Sequence, residues 1–186
     1  MKIFRLTFLI LLFSCQEDSV IPNTSLKAND QVMEIFIPND FQKTVFDTNT
    51  VFLGPDISEV MYLDNRNGSS LNIAIENKIT SKPYYFLELG EDSLFYTENR
   101  YNLILDLLVL NISGNHKEIQ WKSKSIKKIA NKKAIYLNYN HSRGNNISVI
   151  FFTNDLSYVK IHYSNDSIKT KNELDFDKVL NSIKWE

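Results

Sequence analysis

The chain has 186 residues, with 21 lysines and arginines against 22 aspartates and glutamates, a formal net charge of −1 and 43% hydrophobic residues. That length suits one domain with a sizeable core, and the charge balance removes the global attraction on which nucleic-acid binding depends. A single cysteine, Cys15, has no partner for an intramolecular disulfide and no companion thiolates for a metal site.

Cys15 follows a short basic start and an apolar run. Lys2 and Arg5 form the charged n-region and residues 6–13 the apolar h-region, well short of the roughly 20 apolar residues that span a bilayer. The segment therefore reads as a cleaved signal. Leu12-Phe13-Ser14-Cys15 resembles the lipobox that signal peptidase II recognises. The resemblance implies that residues 1–14 are removed and that Cys15 carries lipid on its sulfur and its amino group. The expected mature chain has 172 residues, 19 basic and 22 acidic, anchored to a membrane and not spanning it.

Residues 15–31 are polar, contain Pro22 and show no apolar period, which predicts a lipidated flexible tether ahead of one folded domain over residues 32–186. Gln16-Glu17-Asp18 resembles the export signal with which one gram-negative lineage sends lipoproteins to the outer face of the outer membrane. An ordinary solvated linker accounts for the same residues. Asp18-Ser19-Val20 resembles the short O-glycosylation signal of that lineage, which makes Ser19 the candidate acceptor. The similar string at Ser93 falls at a helix start.

The domain opens with Glu34-Ile35-Phe36-Ile37-Pro38, a β-rich run stopped by proline. Residues 59–64 and 70–79 are the next strand candidates. Leu71, Ile73 and Ile75 alternate with Asn72 and Glu76, the period of a half-buried strand, and Asn65-Arg66-Asn67-Gly68 joins the two runs as a hairpin turn. Asp92 and Ser93 then offer an N-cap. Leu94, Tyr101, Leu105, Leu108 and Ile112 recur at helical spacing before Gly114 supplies a stop. Ile104, Leu107 and Val109 widen the apolar face, so this helix should pack closely on a sheet.

Four strands follow, at residues 118–129, 134–141, 146–153 and 157–164, with turns rich in Asn, Gly and Asp, as in an antiparallel meander. Ile147, Val149 and Phe151 stand opposite Ile150 and Phe152, which demands cover on both faces of the sheet. Phe176, Val179, Leu180 and Ile183, at i, i+3, i+4 and i+7, predict a closing amphipathic helix. Asp175 and Asp177 stand at its start and Lys184 at its end, as the helix dipole favours. The expected fold class is α+β, an antiparallel sheet covered by helices on both faces.

This order of elements resembles the PsbP-like fold, an α/β/α sandwich shared by the photosystem II extrinsic protein, a Ran-binding factor of nuclear transport and many bacterial lipoproteins. The resemblance runs over residues 33–186. It is carried by Ile35-Phe36-Ile37-Pro38 with Phe41, by residues 71–75, by the string from Ile129 through Tyr139, and by the closing Phe176-Asp177-Lys178-Val179-Leu180-Asn181-Ser182-Ile183-Lys184-Trp185. Asn131 or Lys132 replaces the glycine that such proteins often carry before the third string, and Phe41 stands where tryptophan is common. Members mostly bind proteins or assist assemblies and share no catalytic residues. The resemblance thus implies a shape and transfers no site.

No chemical motif rises above this background. Glycines 54, 68, 90, 114 and 144 are too far apart for a dinucleotide fingerprint or a P-loop. His116, His141 and His162 have no metal-ligand spacing, and His162, alternating with Tyr158 and Lys160, reads as a partly exposed strand histidine. Glu88, Glu91 and Asp92 lack calcium-loop spacing. No catalytic residue, metal or cofactor is expected.

One surface feature stands out. Trp121 is followed by Lys122, Lys124, Lys127, Lys128, Lys132 and Lys133. The patch could bind an anionic glycan or lipid headgroup, or it could keep a sheet edge from pairing with other chains. The sequence thus predicts a lipid-anchored, non-enzymatic cell-envelope lipoprotein. It would sit at the outer membrane, with surface exposure open, and bind a protein partner or assist an assembly. The alternative is an envelope binder of an anionic glycan or lipid through the lysine-rich strand.

Overall fold

The computed structural model describes residues 20–28, 30–44, 57–64, 68–76, 100–115, 118–141, 144–154, 157–165 and 171–186. Ten strands and two helices lie among them. The strands are β1 (Thr24–Ala28), β2 (Gln31–Ile35), β3 (Gln42–Thr44), β4 (Ile57–Asp64) and β5 (Ser69–Glu76), then β6 (Gln120–Ile129), β7 (Lys132–His141), β8 (Gly144–Asn154), β9 (Ser157–Asn165) and β10 (Lys184–Trp185). Helix α1 (Arg100–Asn115) separates β5 from β6, and α2 (Lys171–Asn181) precedes β10.

The larger sheet has seven strands in the order β3-β4-β5-β9-β8-β7-β6, and every pair in it is antiparallel. The predicted meander is its right half. Local hairpins build β6-β7, β7-β8 and β8-β9, while β5 reaches across the chain to pair with β9, Ile73 opposite Ile161. The β6-β7 turn has two residues, Ala130 and Asn131, both at positive φ (48° and 63°), the backbone of a tight primed turn whose twist matches the strands it joins.

Alternation divides this sheet into two faces. On one, Leu71, Ile73, Ile75, Tyr136, Ile147, Val149, Phe151, Val159, Ile161 and Tyr163 pack with Phe176, Val179, Leu180 and Ile183. The heptad spacing of the closing helix is thus real. Its last member, Ile183, lies just past the end of α2. On the other face Ile104 of α1 packs with Ile135, Leu137, Ile150 and Phe152, flanked by Trp121 and Tyr158. Both faces of β7 and β8 are therefore apolar, as the doubly hydrophobic runs require.

Three expectations need adjustment. Cover on the α2 face is shared with a second sheet, of order β1-β2-β10, from which Ala28, Met33 and Ile35 join the core. Its strand β1 lies inside the stretch expected to be tether. Leu26 and Ala28 alternate with Ser25 and Lys27, and β1 pairs along its whole length with β2. The backbone groups are satisfied by this hairpin, and so the segment is ordered. Helix α2 begins at Lys171, which puts Asp175 and Asp177 beyond the first turn, where the dipole has little hold on them. The N-cap expected at Asp92 and Ser93 and the turn at residues 65–67 lie outside the described residues.

Candidate functional site

Two constellations carry polar chemistry. The first lies on the α1 face of the large sheet. Ser148 of β8 and His162 of β9 are cross-strand partners, and the Ser148 Oγ stands 2.8 Å from His162 Nδ1. Asn72 of β5 faces His162 from the other side. The alternation that suggested a strand histidine thus places the ring correctly, but burial pushes its pKa down to about 4, helped by the charge of Lys160.

A serine beside a histidine invites comparison with a nucleophile and its base. A general base works best with a pKa near the working pH, and an imidazole held near 4 is a weak proton acceptor. Ser148 is itself buried, 4% exposed, and the charge that acts on the ring is a cation where a triad has a carboxylate. The pair is a structural hydrogen bond within the sheet. Among the described residues no group of three or more His, Cys, Asp or Glu is placed to hold a metal ion.

The second constellation is the lysine-rich strand. Edge strand β6 ends the sheet order, and register decides where each lysine goes. Lys124 faces Leu137 and Lys128 faces Lys133, on the side of α1. Lys127 faces Ala134 and Ile129 faces Lys132, on the side of α2. The structure therefore does not gather the six lysines on one surface. Trp121, Lys124, Lys128 and Lys133 share one face, and Lys127 and Lys132 the other. Lys122 is exposed at the irregularity between Trp121 and Ser123.

Aromatic rings hold several of these ammonium groups in place. Lys124 Nζ lies 5.4 Å from the Trp121 ring centre, Lys127 Nζ 3.7 Å from Tyr136, Lys132 Nζ 4.2 Å from Trp185 and Lys133 Nζ 4.6 Å from Tyr101. Such contacts attract a cation to the ring face and let the aliphatic stems cover apolar edge surface. Trp121 in turn tilts against Tyr139 at 5.2 Å.

A further feature, missed by reading the helix as wholly packed, is the outer side of α1. Its inner side buries Ile104. Leu103 and Leu107 are only part-buried, and Leu110 is 70% exposed. Positions 103, 107 and 110 follow at i, i+4 and i+7, one stripe of a helix. The signal was present in the sequence as an apolar period too wide for a single packing surface. Cys15, Ser19, Ser93, His116 and the acidic cluster at Glu88, Glu91 and Asp92 lie outside the described residues.

No protein-family model and no curated protein matches the chain. Among solved structures, it is similar to the solution structure of cyanobacterial PsbP (CyanoP) from Synechocystis sp. PCC 6803. The identity is 13% and the TM-score 0.49, over 92% of this chain and 97% of that one. It is also similar to the crystal structure of LpqN, involved in cell envelope biogenesis of Mycobacterium tuberculosis, at 9% identity and a TM-score of 0.45, over 87% and 89%. Neither likeness carries a residue role to this chain.

Proposed function

We propose that this protein is a lipid-anchored cell-envelope lipoprotein, a PsbP-like α/β/α sandwich that binds a protein partner and performs no catalysis. The observation that carries the reading is the outward stripe of α1, with Leu110 70% exposed on a helix whose other side is packed. An apolar stripe on the outer side of a helix offers a surface that a protein partner can cover. Helix α1 contacts β6, whose exposed Lys124 and Lys128 lie on the same face of the sheet as the helix. An apolar centre with a charged rim is the common anatomy of a protein interface.

The anchor adds a geometric constraint. Only eight positions separate Cys15 from Asn23, where hydrogen bonds to the domain begin. A chain of that length reaches about 28 Å at full extension. The domain would therefore work close to the bilayer that holds the lipid, at the outer membrane in this reading. Ser19 would lie inside this short connection.

The test is crosslinking in living cells with the tagged, lipidated protein, followed by identification of what co-purifies. Cys15→Ala supplies the mislocalised control and Leu110→Asp the control for the stripe. A reproducible protein partner that both substitutions remove supports the proposal. A lipidated, folded protein that captures nothing beyond the Cys15→Ala control overturns it.

A further inference from the structure

At the corner where the small sheet meets the ends of β7 and β8, the side chains of Gln31, Lys132 and Trp185 meet beside the backbone of Thr153. The Lys132 ammonium donates to Gln31 Oε1, and Gln31 Nε2 donates to the carbonyl of Thr153 at 3.0 Å. Lys132 Nζ also lies 4.2 Å from the centre of the Trp185 ring, which meets Phe151 edge-on at 5.5 Å. Thr153 follows Phe151 by two positions in β8.

Two polar atoms of these residues are buried and make no hydrogen bond, the indole Nε1 of Trp185 and the hydroxyl Oγ1 of Thr153. Thr153 is 8% exposed, more than nine-tenths buried. An indole N–H can only donate. Native folds rarely leave such a donor buried without an acceptor, because its desolvation is then uncompensated. Burial also holds the Lys132 ammonium below the usual lysine range, the effect of lost hydration. These residues thus offer one cation and two neutral donors, and the Gln31 carbonyl is already used.

We propose that this corner is a binding site for a carboxylate, with the Lys132 ammonium supplying the charge and the Trp185 N–H and Thr153 O–H donating to the carboxylate oxygens. A single cation balances a single negative charge. A phosphate dianion would keep an unpaired charge in a half-buried place, which is costly. The site is separate from the α1 stripe and stands whether or not that stripe binds a protein.

The chain has two tryptophans, Trp121 and Trp185, so the full-length protein in detergent gives two indole N–H signals by NMR, assigned with Trp121→Phe. Sodium acetate is titrated at constant ionic strength against chloride, with inorganic phosphate in a parallel series. The expected result is a saturable downfield shift of the Trp185 indole alone. Lys132→Met and Thr153→Val should weaken it by about tenfold or more, and Thr153→Ser and Lys127→Met should retain it. Equal, non-saturating shifts of both indoles, saturation by phosphate in preference to acetate, or an unchanged shift in a folded Lys132→Met protein would each overturn the proposal.

Discussion

The carboxamide of Asn23 grips the backbone of Ile37 from both sides: Nδ2 donates to the Ile37 carbonyl at 2.8 Å, and Oδ1 accepts from the Ile37 N–H at 2.8 Å. The clamp fastens the entry of β1 to the chain just past β2, where Ile37 is buried. Asn23→Ala leaves both backbone groups without partners and should cost about 1–3 kcal/mol. Asn23→Asp keeps the acceptor and loses the donor, so a smaller loss is expected. Urea unfolding of the two variants, read by tryptophan fluorescence, checks the order.

The start of the fold is harder to read from sequence than its longer elements. Strand β1 is five residues long, and only Leu26 and Ala28 mark its buried side. So brief an alternation is hard to tell from linker. The Asn29-Asp30 pair between β1 and β2 was the available turn signal. The longer elements were legible because their periods are sustained: Leu71, Ile73 and Ile75 in β5, and Phe176, Val179, Leu180 and Ile183 around α2, all reach the core. The pairing of β5 with β9 joins residues some ninety positions apart, and no local pattern specifies such a contact.

His162 makes stability depend on pH in a known direction. Its folded-state pKa is about 4, below the ordinary 6.5, so the unfolded chain binds the proton more readily. The stability from keeping the ring neutral is complete above about pH 6.5 and is lost as the pH falls toward 4, up to a total on the order of 3 kcal/mol. His162→Gln should remove this part of the acid dependence. The check is the difference between wild-type and variant unfolding free energies across that range. A constant difference would refute the assignment.

The lysine-rich strand was legible as a run of charges, but its division between two faces was not, since that depends on the β6-β7 register and on the irregularity at Trp121 and Ser123. The turn that sets this register holds Ala130 at φ 48°, a conformation that costs an ordinary residue about 1–2 kcal/mol. Ala130→Gly relieves the strain and gives back part of the gain through the freer unfolded chain. A net stabilisation of about 0.5–1 kcal/mol is expected. Ala130→Val should destabilise, because a β-branched residue fits this region worse. Thermal midpoints of the two variants should move in opposite directions.

Edge strand β6 runs for ten residues at the end of the seven-stranded sheet, and a strand of that length is a template for another chain. Lys124 and Lys128 stand on the same side of it, both exposed. If these lysines guard the edge, they do so by repelling a like-charged strand. Replacing both with valine removes the repulsion and raises β propensity, so the double variant should self-associate, seen as a concentration-dependent rise in mass by light scattering. Replacing both with glutamate keeps the edge charged and should leave the mass as in the wild type. If the valine variant shows no rise in mass over the wild type at high concentration, the lysines do not guard the edge.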